Sequence, residues 1–581
     1  MIPSEAPRPI QDLNSITAAL PAPLDAAVKR ELAAWQADDR IARLWGHDAG
    51  LWTGGDEGRW LGWLDIPDRM QQTLGSLAGF RTDAQRYEHV LLLGMGGSSL
   101  GPEVLALTFG RQAGWPQFHV VDTTDPSQIR DIEASLDLAR TLVIVSSKSG
   151  STLEPNALKA YFYEKIAEKL GAAEAAKRLI AVTDPGSGLQ RVAKAEGFQR
   201  LFLGDPEIGG RYSVLSPFGL VPAAAMGLDL QRLIASAQTM AAACKPGPAA
   251  TDNPGLKLGA ILAAALADGR DKLTIYSGPG LDAFGGWAEQ LIAESTGKNG
   301  HGIVPIDAKQ VSDPGVYAAD RLFVHLELKG RPDPRNAAIQ ALAAAGHPVV
   351  RIEVADSYAV AQEFFRWEIA TAVVGAIMGI HPFDQPDVES AKIATRKLTD
   401  EYEQSGTMPD ETPILEDGGI KLYADAANAS QLAALAGAKT LDAYLKAHLD
   451  RLGPSDYAAL LAFLPMNQRT QTILERVRLI VRDAKHAAVC LGFGPRFLHS
   501  TGQVYKGGPN TGVFLQVTCD DAVELPVPAK RYGFGVIKAA QARGDFAVLA
   551  ERGRRALRVH LGPDPVAGLE QLASSIGRAL A

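Results

Sequence analysis

The chain has 581 residues, 46% of them apolar, with a formal net charge of −8 and a pI near 5.8. That apolar fraction excludes general disorder, and the length implies roughly two to four domains. No strong basic run occurs, so nucleic acid is not expected as a partner. Cys244, Cys490 and Cys519 are too widely spaced for a disulfide framework or a thiolate zinc site.

The amino terminus, MIPSEAPRPIQDLN, has no basic n-region and no apolar h-region, so it does not read as a signal peptide. No stretch reaches ~18 apolar residues free of charge or turn signals. No membrane span is therefore expected, and a cytoplasmic location follows. Residues 1–80 form an N-terminal helical segment: Leu24, Val28 and Leu32 recur at helical spacing, and Trp45, Trp52, Trp60 and Trp63 look like packing anchors.

An α/β block follows over residues 81–245. Strands are expected at Val90 to Leu93, Phe118 to Val121, Leu142 to Val145, Leu179 to Val182 and Arg200 to Leu203. Their alternation with helical stretches means a parallel sheet. The turn-rich stretch Pro246 to Pro254 links it to a second such block over 255–400. Strands there are expected at Leu273 to Tyr276, Leu322 to Leu328 and Val349 to Ile352, with a long apolar helix from Ala359 to Met378. The remainder, 401–581, reads as a C-terminal domain of mixed helices and strands. Helices are expected at Ser430 to Gly437, Thr440 to Arg451 and Thr470 to Asp483, and strands at Ala487 to Leu491 and Val513 to Val517. Tyr457 to Phe463 fits a strand or an apolar helix equally.

The most informative segment is VIVSSKSGSTLEPN, Val143 to Asn156. A β-branched run breaks into Ser146, Ser147, Lys148, Ser149, Gly150, Ser151 and Thr152 ahead of a helix. Backbone N–H groups, hydroxyls and a helix N-terminus would converge there on an anion. Ser151 followed by Glu154 also fits a capping box, which serves the same N–H groups. No G-x-x-x-x-G-K-[ST] loop occurs, so a small phosphoester such as a sugar phosphate fits better than a nucleoside triphosphate.

Other clusters follow in order. Gly94 to Gly101 (GMGGSSLG) lies between a strand and a helix, where a dinucleotide fingerprint would sit. The third Gly of that fingerprint is Ser99, and Asp122 is the only ribose candidate. In GGRYSVLS two glycines let the Arg211 guanidinium approach a site closely. In QLIAESTGK, Glu294 ends a predicted helix, where partial burial would raise its pKa and suit a general base. In FDQPDVESAK, Gln385 and Lys392 are two helical turns apart on one face.

As a set, in this order, these motifs resemble those of the glucose-6-phosphate isomerases. The tail, with HSTGQVYKGGPNTGVF, resembles the isomerase half of transaldolase/glucose-6-phosphate isomerase fusion proteins; no transaldolase half is present. The resemblance implies an α/β fold: two doubly wound parallel-sheet sugar-isomerase domains between an N-terminal helical segment and a C-terminal α+β domain. It implies interconversion of glucose 6-phosphate and fructose 6-phosphate through a cis-enediolate. Ser147, Lys148, Ser149 and Thr152 would hold the phosphate, and Gly97 and Ser98 would line the sugar. Arg211 would stabilise the enediolate, and Glu294 would carry the proton between C2 and C1. Gln385 would touch the phosphate region, and Lys392 would assist at the ring oxygen.

The family's G-Q-H segment, whose His helps open the ring and commonly comes from the partner subunit, corresponds here to Gly315 to Arg321 and holds no His. His499 is the candidate replacement, with His381 second; His301 and His325 lie outside the motif. No metal or organic cofactor is required. The implied partner is a phosphorylated hexose, and a homo-oligomer is compatible with the sequence. The alternatives are an isomerase of another phosphosugar such as mannose 6-phosphate, a non-catalytic phosphosugar-binding protein, and a dinucleotide oxidoreductase.

Overall fold

A computed structural model describes residues 12–581. Most of the segment read above as no signal peptide, residues 1–11, lies outside the described residues.

The first strand, β1 (Ser15–Ala19), is followed by helices and then by β2 (His89–Leu93), β3 (Gln117–Val121), β4 (Thr141–Ser146), β5 (Leu179–Thr183) and β6 (Arg200–Leu203). β2 to β6 form a parallel sheet in the order β3-β2-β4-β5-β6. Every residue of β4 and β5 is buried, as expected of strands with helices on both faces. Strand order reverses between β2 and β4, so their carboxyl ends open the crevice where ligands bind in such sheets. The Gly turn after β2 and the Ser/Thr loop after β4 are the walls of that crevice.

The second sheet takes β7 (Lys272–Ser277), β8 (Val304–Asp307), β9 (Arg321–Leu328) and β10 (Val349–Val354), in the order β1-β10-β9-β7-β8. Two of its members escape the hydrophobic pattern. β8 is only VPID, too short to show a period. β1 is a largely exposed edge strand pairing antiparallel with β10, so residues 15–19 are not part of a helix. Asn14 anchors this strand, its side-chain amide donating to Ala359 O at 2.9 Å and Glu363 Oε1 at 2.8 Å.

The C-terminal sheet contains β11 (Leu415–Asp417), β12 (Ile420–Tyr423), β13 (Tyr457–Phe463), β14 (Ala488–Phe493), β15 (Gly512–Thr518) and β16 (Arg555–His560), in the order β11-β12-β16-β15-β13-β14. Tyr457–Phe463 is thus a strand. Its parallel core, β13 to β16, carries crossover helices, while β11 and β12 form an antiparallel edge.

The C-terminal unit packs on both earlier sheets. One apolar cluster joins Tyr276, Val304 and Phe323 of the second sheet to Tyr457, Cys490, Phe497 and Phe514. Another joins Leu91, Val143 and Leu179 of the first sheet to Tyr532, Phe534 and Ile537. Ion pairs tie the seam with the first sheet: buried Lys538 reaches Asp125 at 2.8 Å, and partly buried Arg496 pairs with Glu103 and, at 3.3 Å, with buried Asp122. Breaking such a pair leaves a buried charge uncompensated, at about 3–5 kcal/mol. No helix among the described residues is long and apolar enough to cross a membrane.

Candidate active site

A cavity of about 420 Å³ opens where the three units meet, and its walls include Gly97, Ser98, Ser147, Lys148, Ser149, Thr152, Arg211, Glu294, Gln385, Lys392 and His499. These candidates from the sequence therefore reach one space, while His381 and Asp122 do not line it. Their roles in holding it differ.

The anion cup follows β4. Gly150 sits at φ +67°, and a Cβ there would lie 2.4 Å from the backbone nitrogen of Leu189, so only glycine fits. The helix Leu153–Leu170 follows Thr152, which makes no side-chain cap, so the Leu153 N–H stays available to a ligand; Pro155 in the same turn has none. The capping box expected from Ser151 and Glu154 does not form. Ser151 Oγ bonds Ser149 Oγ at 3.1 Å instead, and Ser147 Oγ donates to Thr152 Oγ1 at 3.4 Å. Lys148 is a brace for the loop, its ammonium bonding the Asp184 carboxylate and donating to Asp205 O at 2.8 Å.

The Gly turn after β2 fixes the opposite wall. A Cβ on Gly97 would lie 1.9 Å from Gly210 O, so this glycine lets the loop carrying Arg211 close on the turn. Asp122 is committed to Ser99 Oγ at 3.1 Å and to Arg496 at 3.3 Å. It is buried and not placed for a ribose.

Arg211 uses all five of its N–H donors. Nε donates to Ser295 Oγ at 2.8 Å, Nη2 to Pro382 O at 2.7 Å and Asp384 O at 2.9 Å, and Nη1 to Gln385 Oε1 at 2.8 Å and Glu294 Oε2 at 3.3 Å. Gln385 is therefore a partner of Arg211. It precedes the helix Pro386–Ser405 in a non-helical conformation, so it does not share a helical face with Lys392. Lys392 is exposed and pairs with Glu389 at 3.4 Å.

Glu294 lies in the last turn of Phe284–Thr296 and is 6% exposed. Its Oε2 accepts from Arg211 and Gln290, both at 3.3 Å, and Oε1 lies outside both bonds. Burial pushes the carboxyl above the usual range, and the positive field of Arg211 offsets part of that rise. Lys298, just past the end of that helix, is pushed by burial and then by Arg211 down to about 7. Its ammonium bonds His381 O and pairs with Asp384 Oδ1 at 2.7 Å, so Lys298 and Arg211 clamp one turn, 381–385, from two sides.

His499 comes from the C-terminal unit. Its backbone carbonyl accepts from Gln290 Nε2 at 2.8 Å, and its Nε2 faces Glu154 Oε1 at 2.9 Å. Gln541 donates to the same Glu154 oxygen at 2.6 Å. Burial raises the Glu154 carboxyl, but the charge and hydrogen bond of His499 outweigh it and hold it below the usual range. An ionised Glu154 requires an N–H at Nε2, which leaves Nδ1 as the second functional nitrogen. His381 is differently engaged: Nδ1 accepts from the backbone of Phe383 at 3.1 Å and Asp384 at 3.3 Å, while Nε2 meets Asp56 at 2.9 Å. It shapes the 381–385 turn. His325 is buried against Asp333 at 3.1 Å.

Glu154, Gln290, Gln503 and Gln541 are the residues the motifs did not single out for the site. Gln290 had a visible signal, lying one helical turn before Glu294. Gln503, buried, bridges Gly297 O at 2.9 Å and Asp387 Oδ2 at 2.8 Å and so docks the C-terminal unit to the catalytic helix and the helix of Lys392.

An uncapped anion cup, a buried carboxylate beside a fixed guanidinium, and a carboxylate-held imidazole form an arrangement able to hold an anionic ligand and to move protons on it. Comparison with known proteins specifies the group. Residues 69–312 match the model of the phosphoglucose isomerase family. The glucose-6-phosphate isomerase of Rubrobacter xylanophilus is 30% identical over 392 residues, 58% of this chain and 88% of that protein. That of Thermus thermophilus is 31% identical over 387 residues, 59% of this chain and 91% of the relative. Among solved structures, a hypothetical protein from Thermus thermophilus, TT0462, superposes with a TM-score of 0.56 at 26% identity, covering 66% of this chain and 99% of that one. The chain belongs to the phosphoglucose isomerase family.

Proposed function

We propose that this chain interconverts glucose 6-phosphate and fructose 6-phosphate. The observation that carries the reading is the placement of the Glu294 carboxylate, buried against Arg211, in the same cavity as the uncapped Ser147–Thr152 cup. The cup binds the 6-phosphate and so orients the far carbons, converting remote binding energy into alignment.

With the closed ring bound, His499 Nδ1 accepts the O1 hydroxyl proton while Lys392 donates to the ring oxygen, and the C1–O5 bond breaks. Glu294 then takes the C2 proton. The C2–H electrons form the C1=C2 bond, and the carbonyl pair moves onto O1, giving the enediolate. The Glu294–Arg211 bond at 3.3 Å is the longest the guanidinium makes, so it is the one to loosen as charge develops on the substrate. Glu294 returns its proton to C1, and the O2 proton moves to O1 as the C2 carbonyl forms.

The reading implies a phosphorylated hexose as the partner and a cytoplasmic location. It is tested by a coupled assay on fructose 6-phosphate with Glu294→Gln as control. Turnover absent in the unaltered chain, or retained in the variant, overturns it.

A further inference from the structure

The C-terminal unit has a cavity of its own. It encloses about 200 Å³ beside the carboxyl ends of β13, β15 and β16, marked by Phe463, Thr518 and His560. The parallel strands reverse their order between β13 and β15, which is where sheets of this kind bind ligands. The active site does not use this space.

Two guanidiniums converge there on one carboxylate. Arg558, buried in β16, reaches Glu411 Oε2 at 2.7 Å, and Arg543, on the helix Phe534–Glu551, reaches the same oxygen at 2.9 Å. Arg558 lies over the ring of Tyr423 at 4.3 Å, which fixes its plane. Glu411 belongs to neither sheet nor helix. It sits on the irregular stretch 408–414, which Arg543 also holds through Pro409 O at 2.5 Å. Lys538 also lines the cavity, paired with Asp521 and, at 2.8 Å, with Asp125.

We propose that this cavity is a second ligand site, for a small phosphate monoester, and that the Glu411 carboxylate occupies the position of the phosphate. Without Glu411 the wall presents two unpaired guanidiniums, Arg543 and Arg558, while Lys538 stays neutralised by Asp125 and Asp521, so the charge left for an anionic ligand is that of the two guanidiniums. Paired guanidiniums bind phosphate oxygens bidentately, as they bind carboxylate. The helix that supplies Lys538 and Arg543 also supplies Gln541 to the Glu154–His499 pair, so the two sites share one rigid element.

The test is calorimetric titration of the full chain with inorganic phosphate. The Ser147–Thr152 cup is expected to take one equivalent in every variant. Removing the competing carboxylate with Glu411→Gln should expose a second equivalent, at least tenfold tighter than any second binding to the unaltered chain. Adding Arg543→Gln to that variant should abolish it. A Glu411→Gln chain that binds no more phosphate than the unaltered one, or a double variant that keeps the second equivalent, overturns the proposal. Melting temperature and isomerase turnover report whether each variant is folded. Loss of turnover in the unaltered chain would sink the isomerase reading and leave this one standing.

Discussion

The end of the cavity proposed to hold the phosphate comes from one unbroken loop, Ser146 to Thr152, at the end of one strand. The reacting end is gathered from separate parts of the chain: Arg211 before a helix of the first unit, Glu294 at the end of one in the second, Gln385 and Lys392 beyond it, and His499 from the C-terminal unit. The difference follows from what each end must do. An anion cup needs N–H groups and hydroxyls, which a turn entering a helix supplies locally. A proton-transferring carboxylate needs desolvation, and no short segment can bury its own side chain. Glu294 is dry because Arg211, Gln290 and the His499 segment close over it.

The largest expected effect breaks the reacting end. Glu294→Gln keeps the shape and removes the base, so kcat should fall by about 10³–10⁴, near the upper range for general acid–base catalysis. KM for fructose 6-phosphate should stay nearly constant, because the cup is untouched. In the unaltered chain, burial raises the Glu294 carboxyl above its ordinary value. The base works only when ionised, so the acid limb of kcat/KM should titrate above pH ~4.5. An acid limb at or below that pH would put the catalytic carboxylate elsewhere. Arg211→Lys should come next, at about 10²–10³ in kcat, because an ammonium cannot hold Ser295, the 381–385 turn and Glu294 together.

This division also explains what could be read from the sequence. The cup and the strands β2, β4, β5, β7 and β9 were legible because their signals are local: β-branched runs, glycines and hydroxyl clusters. β1 was not legible. SITAA is an exposed edge whose strand character comes from pairing with β10, more than 300 residues away. Glu154 showed in the sequence only as a possible half of a capping box, because its partners, His499 and Gln541, lie 345 and 387 residues along the chain. His499 could be proposed from a missing motif, and nothing local distinguished it. Its role depends on the C-terminal unit packing over the first sheet through Phe534 and Tyr532.

His499→Gln sharpens the contrast inside the reacting end. Hexose phosphate rings also open unaided, so the loss should be modest, about 10²-fold in an assay started from closed-ring substrate. Exchange of the C2 proton on open-chain substrate should fall much less, since Glu294 and Arg211 remain. Equal losses in both assays would make the His499 side chain a structural partner of Glu154 and not a ring-opening group. Glu154→Gln should reproduce the same asymmetry more weakly, because it leaves the imidazole in place without its orienting carboxylate.

The smallest expected effect belongs to the phosphate end. Thr152→Val removes one hydroxyl from a cup that also offers Ser147, Ser149 and the uncapped helix N-terminus. A hydrogen bond to a charged group contributes about 1.5–3 kcal/mol. The neighbouring donors compensate in part, so KM should rise about tenfold while kcat stays within about twofold; tenfold in KM is about 1.4 kcal/mol. That pattern, KM without kcat, is the signature of an interaction made equally with substrate and transition state. A large loss of kcat with KM unchanged would mean that the hydroxyl acts on the reacting atoms, and the separation of the two ends of the cavity would fail at its simplest point.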